Sequence, residues 1–565
     1  MIEGIRVRIA RVLPALLLAP AALLAQEPPP IQAGVAPPDG VYAPGVDVRH
    51  YDVEVGLGKG VDWFEGRAEI DIVATRDDPR LPLDFTGLEV LEFEVDGSPH
   101  AYTYVSGVVA AQLSGHPAGS EARVSVHYRG VPDDGLILRD NVHGEPSAFV
   151  DNWPNRTRFW LPSVDHPTDK ATVRFTVHAP AEWKVVANGR LITEAGPTPP
   201  DALGPPGDRR TWVWEEGVPI SPYNMVFGAS ELTVVSVGLA ACGRAPASPR
   251  EDGCVEVTYW VYPEDVERAE PSFRRAAEIV DYFTGLVGPY PFEKLANVQS
   301  STRFGGMENA SAIFYSERGI ASGRSIEGTV SHEIAHQWFG DAVTEADWHH
   351  LWLSEGFAEY FGEQFFQAAD GEEAFRVLLE QDRRQILLGG DAERPIYDPA
   401  ERDLFALLND NNYQKGAWVL HMLRGILGDD AFFAGIREYY RRYTHSAVLT
   451  ADFQAVMEES YGQGLEWFFQ QWIYEPGYPV FALDQEWRPA ASGSGGQLTV
   501  TVRQTQKPEW PTFRVPTALL VVQDGREQRV PVEISGRDTV VRVQLPATLA
   551  PTVVLDPDGW VLKGP

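Results

Sequence analysis

The strongest chemical signal in this sequence is a pair of imidazoles. In Ser331-His332-Glu333-Ile334-Ala335-His336, two histidines stand four residues apart. On a helix that spacing puts both on one face, one turn apart, where they can grip a single cation. Imidazole nitrogen suits Zn2+ at about 2.0–2.1 Å. Glu333 follows His332 directly and is rotated about the helix axis. It therefore reaches a water on the metal rather than the metal itself, the place of a general base. A bare match of this kind also occurs where histidines are only satisfied surface or core groups, so a third ligand is needed. Glu355 offers one, with 18 residues between it and His336, inside the amphipathic run 352–361. A second helix returning beside the first could present it to the same ion. Two His, one Glu and a water make the open four-coordinate site of a catalytic zinc, one ion per chain. Glu359, one turn beyond Glu355, could orient a ligating imidazole.

Further motifs stand in order around this pair. Gly305-Gly306-Met307-Glu308-Asn309 lies upstream, with 22 residues between Asn309 and His332. Tyr413 precedes a Lys-Gly pair in Asn412-Tyr413-Gln414-Lys415-Gly416. Pro162-Ser163-Val164-Asp165-His166-Pro167, Lys170-Ala171-Thr172, Gly288-Pro289-Tyr290-Pro291-Phe292 and Gly340-Asp341-Ala342-Val343-Thr344 complete the set. Together they resemble the M1 aminopeptidases, the gluzincin group with a Gly-x-Met-Glu-Asn signature, over about residues 45–560. The resemblance implies a thermolysin-like catalytic domain that removes single residues from peptides with a free N-terminus. It assigns His332, His336 and Glu355 to zinc, Glu333 to the base and Tyr413 to the oxyanion. Glu308 goes to the substrate ammonium, and Gly305, Gly306 and Met307 to the substrate backbone. The chemistry agrees, because a buried carboxylate left without its cation is costly and so rejects substrates that lack a free amine.

The chain departs from the family pattern in three places. An acidic residue common seven positions past the zinc Glu is Gly362 here, which leaves Glu359 or Glu363 to take its part. Where many members carry a Gln or Glu in the first domain to anchor the amine, the segment is Asp151-Asn152-Trp153-Pro154, so Asp151 or Asn152 is the candidate. The chain also has the short form, without a large helical C-terminal domain. The cleft is then less enclosed unless a second copy covers it, which keeps a homo-oligomer open.

The elements that must position these residues give a multidomain α+β chain of 565 residues. Alternating runs at 51–55, 68–73 and 171–177 place an N-terminal β saddle or sandwich over 47–264. Asn188-Gly189 reads as a hairpin turn. Helical periodicity over 277–283, 325–339, 352–369, 373–388, 413–427 and 432–443, with a short strand near 295–299, places the mostly helical catalytic domain over 265–476. Alternation at 498–502 and 540–544 gives a small C-terminal β-sandwich over 477–565.

Composition narrows the setting. A net charge of −33 repels phosphates and anionic membranes, so neither nucleic acid nor a membrane surface is an expected partner. Arg6, Arg8 and Arg11 before the apolar run 12–24 read as a signal peptide over 1–25, followed by a Pro-rich lead-in over 26–46. The expected location is periplasmic or extracellular, with no integral membrane segment after cleavage. Cys242 and Cys254, the only two cysteines, flank a turn-rich stretch between strand-like runs. In an oxidising compartment they are expected to pair. The rival readings are epoxide hydrolysis or endopeptidase action on the same scaffold, and an inert zinc-containing peptide-binding protein.

Overall fold

The computed structural model describes residues 44–491, 495–547 and 549–565. The proposed signal peptide and most of the Pro-rich lead-in lie outside these residues. The fold is β, then mostly α, then β, as expected.

The first part is built on an eight-stranded sheet. Its order is Arg190–Pro197, Arg209–Ile220, Ala171–Pro180, Val46–Gly56, Phe64–Ala74, Glu121–Gly130, Glu89–Val95 and Ser98–Pro99. Phe64–Ala74 alternates strictly between buried and half-buried residues, with Phe64, Ala68, Ile70 and Ile72 turned inward. That is the burial a period of two imposes on a sheet with one covered face. A four-stranded sheet follows, in the order Lys184–Ala187, Phe227–Ser230, Pro146–Val150 and Leu136–Asp140. Here the structure corrects one expectation. Asn188-Gly189 does not close a hairpin, because the strand before it belongs to the four-stranded sheet and the strand after it to the eight-stranded one. The Asn188 side chain is buried and bonds Asn224 O, Ala310 O and Val226 N, so the turn staples the two sheets to the Met307–Ser311 region.

A five-stranded sheet carries the chain into the helical part. Its order is Thr233–Ala240, Val255–Val261, Leu295–Ser300, Ala312–Ser316 and, at the edge, Gly306–Met307. Backbone pairing therefore crosses the division expected at 264. Cys242 and Cys254 are joined by a disulfide across the hairpin formed by the first two strands. The loop they close is also pinned from outside, with Ala241 N donating to Asp281 Oδ1 and Tyr290 N to Arg244 O.

The helix expected over 325–339 spans only Glu327–His336. Trp338 and Phe339 kept the apolar period running, yet they are buried from the turn that follows, where Gly340 sits at φ 125°. The run at 352–369 begins as a 3-10 turn, Trp348–Leu353, before helix Glu355–Asp370. The one at 413–427 begins as a π turn, Asn411–Lys415, before helix Gly416–Leu427. Helices Thr450–Tyr461 and Glu466–Ile473 close this part.

The last residues form two three-stranded sheets that face each other. One holds Phe481–Pro489, Gly496–Gln504 and Asp538–Leu545; the other holds Arg526–Ile534, Val515–Gln523 and Thr552–Leu555. Leu498, Val500, Val502, Leu519, Val521 and Val543 fill the space between them. Among the described residues no helix is long and apolar enough to cross a membrane.

Candidate metal centre and cleft

The geometry begins with two helices in close contact. Glu327–His336 lies against Glu355–Asp370, and the contact is set at Gly362. A side chain there would meet His332 N at 3.1 Å and His332 Cα at 3.2 Å, and the Gly362 carbonyl accepts a hydrogen bond from Ser331 Oγ at 2.9 Å. A side chain at this position would press on the backbone of the histidine helix, which would have to shift by a few tenths of an ångström. The chain places its carboxylate one turn earlier, where Glu359 Oε2 lies 3.0 Å from His332 Nδ1. Glu363 makes no such contact with the imidazole.

His336 is oriented by Phe339. The turn after the helix brings the Phe339 carbonyl to 3.0 Å from His336 Nδ1, with Ser354 Oγ at 3.1 Å from the same nitrogen. In both histidines Nδ1 faces an acceptor, an arrangement that would leave the Nε2 lone pairs to a metal ion. The two Nε2 atoms are 3.1 Å apart, and each lies 3.2 Å from Glu355 Oε2. A tetrahedral ion with bonds of about 2.0 Å has ligands about 3.3 Å apart, the edge of such a tetrahedron. The triangle fits one face of it, and N, N, O is the donor set zinc takes.

Around the triangle stand more acids. Glu308, Glu333 and His336 bring one ligand atom each within 4.8 Å of one another. Burial pushes the Glu333 carboxyl up to about 8, and Glu308 and Glu355 add to the rise while the two histidines oppose it. Burial raises Glu308 as well. Glu355 is held below the usual carboxylate range because the charges and hydrogen bonds of His336 and His332 outweigh the effect of burial. Tyr413 stacks on His332 with ring centroids 5.9 Å apart, and its hydroxyl is bonded to Glu355. Burial, then that carboxylate, drives the phenol well above its ordinary range, so it stays a donor.

Gly306 has a definite reason to be glycine. A Cβ at this position would stand 2.1 Å from Glu333 Oε1. The missing side chain is what lets the Glu333 carboxylate lie against the edge strand. Gly305 has open space around it. Gln337 ties the two regions together. Its Nε2 donates to the Glu308 carbonyl and to Asp341 Oδ2, both at 2.7 Å, and its Oε1 accepts from Ser311 N at 2.8 Å. Asp341 in turn accepts from Asn224, and its carbonyl accepts from Lys170 Nζ at 2.8 Å. The sequence reading missed Gln337, although its place beside His336 was the available signal.

All of this opens into one cleft of about 400 Å³. His332, Glu333, His336, Glu355, Glu308, Gly305, Gly306, Met307, Glu359 and Tyr413 line it. Asp151 and Asn152 do not, which corrects their candidacy as the amine anchor. Asp151 Oδ1 accepts from Arg156 Nη2 at 2.7 Å and its Oδ2 from Arg303 N at 3.3 Å. Asn152 donates to Met225 O at 2.8 Å and accepts from Trp160 Nε1 at 2.8 Å. Both are buried and fully engaged, and it is Trp153 that reaches the cleft.

Comparison with known proteins points the same way. Residues 273–472 match the profile of the Peptidase family M1 domain. The chain is 24% identical over 463 residues to "Probable aminopeptidase 1" of Sulfurisphaera tokodaii, a match covering 78% of this chain and 54% of the relative. It is 26% identical over 355 residues to the glutamyl aminopeptidase of Sus scrofa, covering 60% and 35%. The chain thus spans about half the length, or less, of the curated relatives it matches. Among solved structures, an M1 zinc metallopeptidase from Deinococcus radiodurans superposes with a TM-score of 0.64 at 25% identity, covering 76% of this chain and 93% of that one.

Proposed function

We propose that this chain is a zinc-dependent aminopeptidase that holds one zinc ion on His332, His336 and Glu355. The observation that carries the reading is the triangle of three lone-pair atoms with two further buried carboxylates, Glu308 and Glu333, set against it. A zinc ion bound there would polarise a peptide carbonyl and lower the pKa of an attacking water.

The chain's own residues supply the rest. Glu308 receives the substrate's α-ammonium as a charge-assisted pair, and without that cation its burial is uncompensated. The outer side of the edge strand Gly306–Met307 is open to hydrogen bonds from the substrate backbone. Glu333, beside the triangle, takes the proton of the attacking water and passes it to the leaving nitrogen. Tyr413 donates its hydroxyl to the oxyanion of the tetrahedral intermediate. Glu359 keeps the His332 ring in place. A Deinococcus radiodurans relative of the same fold, with a TM-score of 0.63, binds a Tyr-Ser-Ala substrate, which supports a peptide for this cleft.

Three parts, 47–264, 265–476 and 477–565, form the working unit in this reading. The basic, then apolar, N-terminal segment and the Cys242–Cys254 bridge support export to an oxidising compartment. The net charge of −33 speaks against a nucleic-acid partner.

A panel of aminoacyl-coumarin substrates, free and N-acetylated, assayed with and without a zinc chelator, tests the proposal. Chelator-sensitive hydrolysis confined to the free amines is expected. Glu308→Ala should cost the free-amine substrates about 2–5 kcal/mol in kcat/KM and shrink their advantage over the acetylated ones. Equal cleavage of acetylated substrates by the unmodified enzyme would sink the exopeptidase reading.

A further inference from the structure

A second group of acids stands at the other end of the cleft. One oxygen each from Glu359, Glu363 and Asp382 lies within 4.8 Å of the others. Glu359 is engaged, with Oε2 on His332 and Oε1 accepting from Gln414. The other two are not. Glu363 and Asp382 are 7% and 3% exposed, and Glu363 Oε2 and Asp382 Oδ2 have no hydrogen-bond partner. Among the described residues no lysine or arginine is paired with either acid; burial raises both, Asp382 and Glu359 add to the rise of Glu363, Glu359 and Asp410 to that of Asp382, and His332 opposes each. Buried carboxyls left this way hold a proton until a cation arrives that can pair with them.

The shape of the cleft indicates which cation. Glu359 and Glu363 line it together with Phe366 and Leu378, so apolar walls lead to an acidic end. An alkyl stem with a charged head matches that arrangement, whereas a bare divalent ion would have no use for the apolar walls. Helix Glu327–His336 also gives the site a direction. Glu308 stands with His336 at its C-terminal end, while Glu359, alone of the acidic trio, touches His332, and Thr329 and Gly328 continue the lining toward the helix start. With the substrate ammonium at Glu308, the residues beyond the cleaved bond run toward the trio.

We infer that Glu363, backed from behind the cleft wall by Asp382, forms the floor of a specificity pocket for a lysine or arginine side chain at the second residue of the substrate. This rests on the aminopeptidase reading above for its direction. It adds a substrate class, peptides with a basic residue immediately after the one released.

The test compares Leu-Lys-amide, Leu-Arg-amide and Leu-norleucine-amide on the zinc-loaded enzyme, with released leucine as the readout. The basic peptides should exceed norleucine by about tenfold or more in kcat/KM. Glu363→Gln and Asp382→Asn should each reduce that ratio about fivefold. Zinc-loaded Glu333→Gln enzyme, titrated calorimetrically with the same three peptides, should show the same order in affinity without needing turnover. Leu-coumarin, which has no second residue, reports on the aminopeptidase reading alone. If it is not cleaved, that reading fails, and the calorimetric ratio still decides the pocket. A wild-type ratio near one overturns the pocket, as does a ratio that neither variant moves. A basic preference at the first residue, seen with Lys-Leu-amide against norleucine-Leu-amide, overturns its placement. A second equivalent of divalent metal, present in the wild type and lost in Asp382→Asn, would show the trio to be a metal site and overturn the inference.

Discussion

The cleft and the C-terminal sandwich treat charge in opposite ways. In the sandwich the described acids and bases stay at the surface, apart from Asp556, which is buried and paired with Lys563. Arg503 pairs with Asp538 at 2.9 Å, and Arg514 with Glu533 at 2.9 Å, all four side chains well exposed. Such pairs contribute about 0–1 kcal/mol each, and the stability of the region comes from Leu498, Val500, Val502 and their partners inside. In the cleft Glu308, Glu333, Glu355 and Glu363 are all buried, as is Asp382 behind Glu363, and among the described residues no lysine or arginine is paired with Glu363 or Asp382. Burial of that kind works against folding. The apolar parts of the molecule offset it, and in the proposed reading the acids receive cations that arrive from outside. The contrast predicts opposite responses to substitution: loss of function without loss of fold in the cleft, and the reverse in the sandwich.

The largest effect on activity should come from His336→Ala. It removes one corner of the triangle, so stoichiometric zinc and turnover should both vanish while the protein stays folded. Full zinc occupancy by elemental analysis would break the ligand assignment, and with it the cleft's half of the contrast. Next is Glu333→Gln, which keeps shape and metal but removes the base. Here kcat should fall by about 100-fold or more with zinc retained. In the metal-free protein above pH 8, where Glu333 is ionised, the melting temperature of this variant should be equal to or above that of the wild type, since a buried charge beside Glu308 is gone. A clear drop in melting temperature would show that the cleft acids support the fold.

Glu359→Gln should be milder. It weakens the hold on His332 Nδ1 and should reduce zinc affinity about 10–100-fold, measured by competition with a chelator. Activity in excess zinc should largely return. The smallest effect on turnover belongs to Leu498→Ala. Its side chain is buried between the sheets, and its loss should cost about 2–5 kcal/mol of stability in denaturant unfolding of the sandwich, with kcat unchanged. A matching fall in kcat would mean that the sandwich communicates with the cleft, and the contrast would need redrawing.

Much of this was legible in the chain because it depends on short-range regularities. A spacing of four residues places His332 and His336 on one face in any helix, and the alternation of Phe64–Ala74 admits only one buried face. The parts that were misread depend on what lies across space. Asn188-Gly189 has the chemistry of a hairpin turn, but turn chemistry does not say which sheet the next strand joins. Counting along the chain located Asp151 and Asn152 near the expected anchor without revealing that Arg156 and Trp160 already hold them. Asp382 carries no motif at all. It meets Glu363 because helix Glu372–Gly389 follows directly on helix Glu355–Asp370 and packs back against it.

Gln337 has one consequence for what the enzyme would release. Its amide grips the backbone carbonyl of Glu308 while its own backbone continues directly from His336. If Glu308 reads the end of a peptide, its distance from the centre that would cut it is set, beside the strand pairing, by one side chain braced at both ends. In the proposed reaction that distance is a ruler one residue long. Slackening it, with Gln337→Ala, should blur the count before it abolishes the cut, so that dipeptides appear beside free amino acids among the products.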